Sequence, residues 1–319
     1  MQPVVSVIIP TYNRANYLKD SIRSVISQTV KDIEIIVINN YSTDNTLEIV
    51  RSFNDNRIKT INFKNSGVIA RSRNQGIIQS SGKYIAFLDD DDQWCEDKLE
   101  LQIKYLESHP EFSVVYSNAI IIDEKGNRKG LLINHGQAKE GRIFQDLLGA
   151  NFVTILTVLM RRQIPDSIGL FNEEPSMIAV EDYEYWTRAA LKYGFGYIDK
   201  PLAMYRVHSA SLSKAKSTAL LRQKVLRNLL INRDVPENYH DKIIHNIGRL
   251  DFSASVYHWS LSDRMNAKIC ARRYIFFSLK YLRLLNFALG VLLYIMIHFK
   301  YEFFKGAINA FESRIAKII

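Results

Sequence analysis

An α/β fold built on an open, mostly parallel sheet, followed by a helical and basic C-terminal region, is the architecture this sequence predicts. Three observations carry it. Over the first ninety residues, short β-branched runs alternate with amphipathic segments. Polar clusters follow three of those runs, where an open sheet gathers ligands at the carboxyl ends of its strands. The whole basic excess lies in the last third, with 17 Lys/Arg against 7 Asp/Glu in residues 216–319 but 25 against 26 in residues 1–215.

The first strand is expected over residues 4–9, and Leu18, Ile22, Val25 and Ile26 follow it at helical spacing. A second β-branched run covers 33–38, with another helical stretch from Asn45. Strands at 58–61 and 84–88 flank a helical segment at 68–79. Thr11-Tyr12-Asn13-Arg14 follows the first strand, Asn39-Asn40-Tyr41-Ser42-Thr43-Asp44 the second, and Asp89-Asp90-Asp91-Asp92 the fourth. Beyond residue 110 the pattern mixes a strand at 113–122, a turn at 123–130 and a helix at 144–149. From Lys216 it reads as helix throughout, which places a domain boundary near 215 and gives domains 1–215 and 216–319.

The chain has 319 residues, 47% of them apolar, enough to bury a sizeable core and too many for a disordered or fibrous protein. Cys95 and Cys270 match no zinc or redox spacing and fit a reducing, cytoplasmic setting. The apolar run at 4–9 is short and leads straight into Pro10-Thr11, so no secretory signal is expected.

Four consecutive carboxylates after an apolar strand repel one another and resist burial. A hard divalent cation, Mn²⁺ or Mg²⁺, is the natural compensator. If the strand continues through them, alternate residues share a face, so Asp89 and Asp91 are expected to turn the same way. In the C-terminal third, residues 274–277 and 284–299 are strongly apolar, with Asn286 and His298 as the strongly polar residues of the longer run. Sixteen residues fall short of the roughly 20 a spanning helix needs. The flanking Arg272, Arg273, Lys280, Arg283, Lys300 and Lys305 fit helices lying in the interface of an anionic membrane. A helix packed on the first domain, or a contact between copies in a homo-oligomer, is the alternative.

The ordered motifs resemble the family 2 glycosyltransferases, of Rossmann-like GT-A fold, over roughly residues 4–213. The matching residues are Ser6-Val7-Ile8-Ile9-Pro10-Thr11-Tyr12-Asn13-Arg14, Glu34-Ile35-Ile36-Val37, Ser42-Thr43-Asp44-Asn45-Thr46 and Ser72-Arg73-Asn74-Gln75-Gly76. They continue through Gly82-Lys83-Tyr84 to Asp92, Trp94 with Lys98-Leu99, Glu181-Asp182-Tyr183-Glu184-Tyr185-Trp186, and Tyr205-Arg206-Val207-His208. Each is weak alone; their common order is specific.

The resemblance implies a UDP-sugar donor held by Pro10, Thr11, Tyr12 and Arg14, with Tyr12 stacked on the base. Asn39 or Asn40 stands where the family commonly has a carboxylate that receives the uracil N3 hydrogen; an Asn carbonyl accepts it without charge assistance. Arg71 and Arg73 fall near the diphosphate, and Arg73, inside Arg-Asn-x-Gly, is the expected donor contact. The family's Asp-x-Asp maps onto Asp89 and Asp91, beside Asp90 and Asp92, with one carboxylate toward the sugar and the other toward the metal. Asp182, next to Glu181, takes the role of base in an inverting transfer. His208 reaches the diphosphate or metal, and Trp94 and Trp186 wall the sugar pocket or join the core.

The implied acceptor is a lipid-linked or other oligosaccharide, such as a glycan on polyprenyl pyrophosphate. It would be met at the inner face of the cell membrane during O-antigen or capsule assembly. Its binding loops are sought in residues 131–151, and no nucleic-acid partner is expected. A sugar-phosphate nucleotidyltransferase would need a glycine-rich loop where Pro10-Thr11-Tyr12-Asn13-Arg14 stands. A catalytically degenerate, nucleotide-binding scaffold of a glycan-assembly complex is favoured only by Asn39 and Asn40.

Overall fold

Strand β1 (Val5–Thr11) is buried at every position and pairs in parallel with β2 (Ile33–Asn39) along its whole length, Val5 opposite Ile33 and Thr11 opposite Asn39. Its other edge takes β4 (Tyr84–Phe87), and β2 carries β3 (Ile58–Asn62), both in parallel. A strand covered on both faces reads as a continuous apolar run, as β1 and β2 do. Helix α1 (Ala15–Ile26) presents Leu18, Ile22 and Val25 to the face carrying Val5, Val7 and Ile9. Helices α2 (Thr46–Ser52) and α3 (Ile69–Gln79) follow β2 and β3. On the opposite face α3 closes on β1, and a Cβ at Gly76 would stand 2.3 Å from Ile8 Cγ2. At Gly82 a Cβ would meet the backbone nitrogen of Ser6 at 2.6 Å, so only glycine lets this turn lie against β1.

The computed structural model describes residues 2–134, 136–208, 218–280 and 284–298, and the chain divides into two compact units, residues 1–215 and 216–319. In the first unit the sheet continues past β4 through strands of both directions. These are β5 (Gln93–Trp94), β6 (Phe112–Ile122), β7 (Arg128–Leu131), β8 (Leu159–Arg161) and β9 (Gly194–Arg206). The order is β3-β2-β1-β4-β8-β6-β9-β5, with β7 on β6.

Half of the pairings among described strands are antiparallel, which corrects the expectation of a mostly parallel sheet. The three pairings among β1–β4 are parallel, and so is that of β6 with β9. Strands of two or three residues, such as β5 and β8, are too short to show a period, and Gly194, Gly196 and Pro201 interrupt the pattern of β9. Helices α4 (Lys98–Ser108), α5 (Phe144–Leu147), α6 (Gln163–Ile168) and α7 (Glu181–Lys192) complete the unit.

The second unit contains α8 (Thr218–Ile231), α9 (His240–Ser260), α10 (Arg264–Lys280) and α11 (Leu284–Met296), with α9 packed on α8, α10 on α9 and α11 on α10. Asp263 caps α10 by accepting the Asn266 N–H at 3.2 Å. Val256, Trp259, Ala267, Ala271, Leu293 and Ile297 form a shared apolar core. Gly290 brings α11 close to Tyr274 and Ile275 of α10. Among the described residues no helix is long and apolar enough to cross a membrane. Of the basic residues expected to flank the apolar runs, Arg283, Lys300 and Lys305 lie outside the described residues, as do residues 209–213 of the motif region.

Candidate active site

The apolar strand β4 ends at Phe87, and the acidic run is a turn rather than more strand, closed by the Asp92 N–H donating to Asp89 O at 3.1 Å. This corrects the expectation that Asp89 and Asp91 share a strand face. A turn sends the four carboxylates in different directions. Asp89 meets Arg73 Nη2 at 2.9 Å. Asp90 is buried and accepts from Arg14 Nη1 at 3.1 Å and the Tyr12 N–H at 3.3 Å. Asp91 Oδ2 receives Arg14 Nη1 at 2.5 Å and lies 2.8 Å from His208 Nε2. Asp92, also buried, accepts the Arg206 N–H at 2.8 Å.

Two arginines therefore compensate much of the repulsion that sequence reasoning assigned to a metal. Burial, relieved in part by Arg14, pushes the Asp90 carboxyl up to about 7. Burial and the neighbouring Asp91 and Asp89 hold Asp92 well above the usual carboxylate range. The C-terminal end of β9 completes the turn. Arg206 Nε donates to Asp91 O at 2.8 Å, its guanidinium lies 5.1 Å from the Tyr17 ring centroid, and Tyr17 stacks on His208. Arg206 had only its place in a motif to mark it; its tie to residues more than 110 positions earlier has no local signal.

At the ends of β1 and β2 the structure separates the two asparagines. Asn39 is buried and its amide is engaged at both ends, Nδ2 donating to Asn62 Oδ1 at 2.8 Å and Oδ1 accepting the Ser42 N–H at 3.1 Å. Asn40 instead lines a cavity with Tyr12, Tyr41, Lys64 and Ser66, while its Oδ1 accepts the Asn65 N–H at 3.0 Å. Tyr12 is 53% exposed. Thr11 is buried at the end of β1, whereas Pro10 and Arg14 line the central cleft.

That cleft also gathers the 89–92 turn, Thr154, Ile155, Leu156, Ala179, Glu181, Asp182, Tyr205 and Arg206. Glu181 and Asp182 open α7, where acidic side chains complement the helix dipole. Ala179, just before, holds a left-handed φ of 77°, a sharp backbone feature at the cleft. Arg73 Nη1 donates to Glu181 Oε1 at 2.6 Å. Asp182 accepts its neighbour's Tyr183 N–H and lies 3.5 Å from Asn151 Nδ2. Burial, then the adjacent Glu181, pushes its carboxyl up to about 7, opposed by Arg73.

Other expected residues fall elsewhere. Arg71 turns to Glu173 at 3.5 Å instead of joining the cleft. Trp94 is in the core, donating its indole N–H to Leu156 O at 2.8 Å, with the buried Lys98 ammonium 4.1 Å from the ring centroid. Trp186 is fully buried. Of the loop 131–151, Asn151 touches the acidic pair, while residues 154–156, which carry no sequence signal, line the cleft.

The family model for Glycosyl transferase family 2 matches residues 6–168. The chain belongs to glycosyltransferase family 2. Its relatives include TuaG of Bacillus subtilis, a glycosyltransferase named for teichuronic acid biosynthesis, 31% identical over 67% of this chain and 83% of TuaG. Another is the Escherichia coli UDP-Glc:alpha-D-GlcNAc-diphosphoundecaprenol beta-1,3-glucosyltransferase WfgD, 30% identical over 69% of this chain and 83% of WfgD. Rickettsia relatives are 37–38% identical over 64% of this chain, which spans about a third of their length. Among solved structures, TarS 1-349 of S. aureus in complex with UDP-GlcNAc superposes with a TM-score of 0.68 at 18% identity, over 96% of this chain and 92% of that one. This shows the GT-A-like fold of the family 2 chain.

The fold family implies a divalent ion, and the donor set tests it. Among the described residues no three His, Cys, Asp or Glu side chains form a cage for an ion. Asp91 Oδ2 and His208 Nε2 do converge beside the cleft. A hard ion bound through one or two protein groups completes its shell with water and substrate phosphates. Asp91 and His208 fit such a shared ion, although Arg14 also holds Asp91 Oδ2 as Arg73 holds Asp89.

Proposed function

We propose that this protein transfers a hexose or N-acetylhexosamine from a UDP-sugar to a hydroxyl of a lipid-linked or oligosaccharide acceptor, with inversion, in surface polysaccharide synthesis. The observation that carries this reading is that Asp182 and the 89–92 turn, distant in sequence, line one cleft. Tyr12 stacks on the base, worth about 1–3 kcal/mol by analogy with base stacking elsewhere, and Asn40 meets its polar edge. Asp182 takes the proton of the acceptor hydroxyl. The acceptor oxygen bonds to the anomeric carbon as the carbon–oxygen bond to the diphosphate breaks, and that electron pair leaves with UDP. Asp91 and His208 would hold a Mn²⁺ or Mg²⁺ ion, which would supply Lewis acidity to the leaving group. The UDP-GlcNAc named for TarS and the diphosphoundecaprenol acceptor named for WfgD support these substrate classes.

Calorimetric titration of UDP, GDP and CDP, with and without Mn²⁺, tests the donor half. UDP is expected to bind selectively and more tightly with Mn²⁺. No nucleotide binding would overturn the donor assignment.

A position on the inner face of the cell membrane suits such an acceptor, and the second unit supports it. On α10, Met265, Ile269 and Phe276 are exposed at positions i, i+4 and i+11, one stripe of the helix, beside the exposed Arg272 and Arg273. Leu292 and Ile295 of α11 are exposed as well. Tyr274 and Leu293 are buried in the unit, so the surface is narrower than the apolar runs suggested. Anionic vesicles are expected to bind the chain in flotation. Replacing Met265 and Phe276 by Ser removes about 3 kcal/mol of insertion, a loss on the order of a hundredfold. Undiminished binding by that variant would remove this face as the contact.

A further inference from the structure

Arg73 projects from α3 onto carboxylates of two other parts of the chain, Asp89 after β4 and Glu181 at the start of α7, with Asp182 lining the same cleft. Its side chain is 3% exposed, and its terminal nitrogens reach Asp89 at 2.9 Å and Glu181 at 2.6 Å. The next residue of α3 is pinned as firmly: Asn74 accepts the Phe171 N–H at 2.9 Å and donates to Phe171 O at 2.9 Å. The Arg73 guanidinium carbon lies 6.0 Å from the Phe171 ring centroid. Arg73 Nε and Glu181 Oε2 are buried without a hydrogen-bond partner, so the cation is held by its two ion pairs rather than by a full set of bonds. Each terminal nitrogen spends one of its two N–H groups on a carboxylate, and Arg73 also lines the cleft.

We propose that Arg73 is a positioning residue: it ties the acidic turn after β4 to the first turn of α7, and so sets the protonation and place of Asp182. This rests on Asp182 being the base. One buried cation faces Asp89, Glu181 and Asp182, which leaves negative charge in excess. The group that gives way is the carboxyl beside Glu181. Asn151 and the Tyr183 N–H are the neutral groups at Asp182. Arg14 is paired with Asp90 and Asp91, and Arg206 with Asp92 and the Asp91 carbonyl. Among the described residues, Arg73 is thus the cation that acts on Asp182. Its pull lowers the pH at which Asp182 becomes a base, and Glu181 raises it.

The opposite signs give the test. The full chain is labelled with ¹³C at Asp carboxyl carbons, and Asp182→Asn identifies the Asp182 signal. Its midpoint in the unaltered chain is expected near 7. Arg73→Met is expected to move it up by about 1–3 pH units, and Glu181→Gln, which keeps the shape and an acceptor for Arg73, to move it down. Arg73→Lys retains a charge but cannot bridge two carboxylates, and is expected to shift the midpoint up by less. It decides the matter if Arg73→Met does not fold. An unmoved midpoint in the Arg73 variants, or the same direction of shift in Arg73→Met and Glu181→Gln, overturns the proposal. The titration needs no turnover, so it is readable even if the chain transfers no sugar. Where transfer is measured, the acid limb of its rate moves with the NMR midpoint.

Discussion

Asp182→Asn is expected to lower glycosyl transfer by about 10²–10⁴-fold while leaving UDP affinity near its original value. The carboxylate touches neither Tyr12 nor Asn40, whose cavity is the one proposed for the base, so its loss is expected to remove proton acceptance without disturbing that contact. Single-turnover transfer and UDP titration on the same preparation separate the two effects; an unchanged rate would dismiss Asp182 as the base. The unaltered protein carries a matching pH signature. Asp182 must be ionised to accept a proton, and burial with Glu181 places its transition near 7. Transfer is therefore expected to rise with pH through that region and level off above it. The same shift bears on stability. A carboxyl raised from its ordinary 3.8 favours folding while protonated, and that advantage fades as pH climbs from about 4 to 7. The Asn variant escapes this loss, so it is expected to be at least as stable as the original at pH 8. That is the exchange of stability for activity common at catalytic groups.

Asp91→Ala is expected to abolish the Mn²⁺ dependence of UDP binding. Several kcal/mol of metal–phosphate interaction are at stake, which corresponds to a loss on the order of a hundredfold or more. Asp91 Oδ2 is the atom where Arg14 and His208 converge, so its removal would leave His208 as the remaining proposed ligand. Arg14 retains Asp90 and stays at the cleft. A weak, metal-independent affinity for UDP should persist in titration. A variant that responds to Mn²⁺ as fully as the original would place the ion elsewhere.

The N-terminal half of the sheet was legible because its signals are local. β-branched runs buried on both faces, and helices with Leu18, Ile22 and Val25 on one side, betray themselves within a dozen residues. The second half was not. β8 and β5 are strands only because β4, β6 and β9 lie beside them, and three or two residues carry no period of their own.

The acidic run, the Glu181-Asp182 pair, the ordered family motifs and the basic C-terminal third were determined by the sequence alone, since residue type and local order suffice to state them. Tertiary structure decided what each group does. Arg71 and Arg73 look alike two positions apart, yet one faces Glu173 near the surface and the other is buried between Asp89 and Glu181. Asn39 and Asn40 are adjacent and identical, but one amide is consumed inside the fold and the other lines a cavity. Two neighbours on a chain point different ways. Whether a polar group serves the fold or a ligand depends on which distant backbone reaches it first, and that is a property of packing.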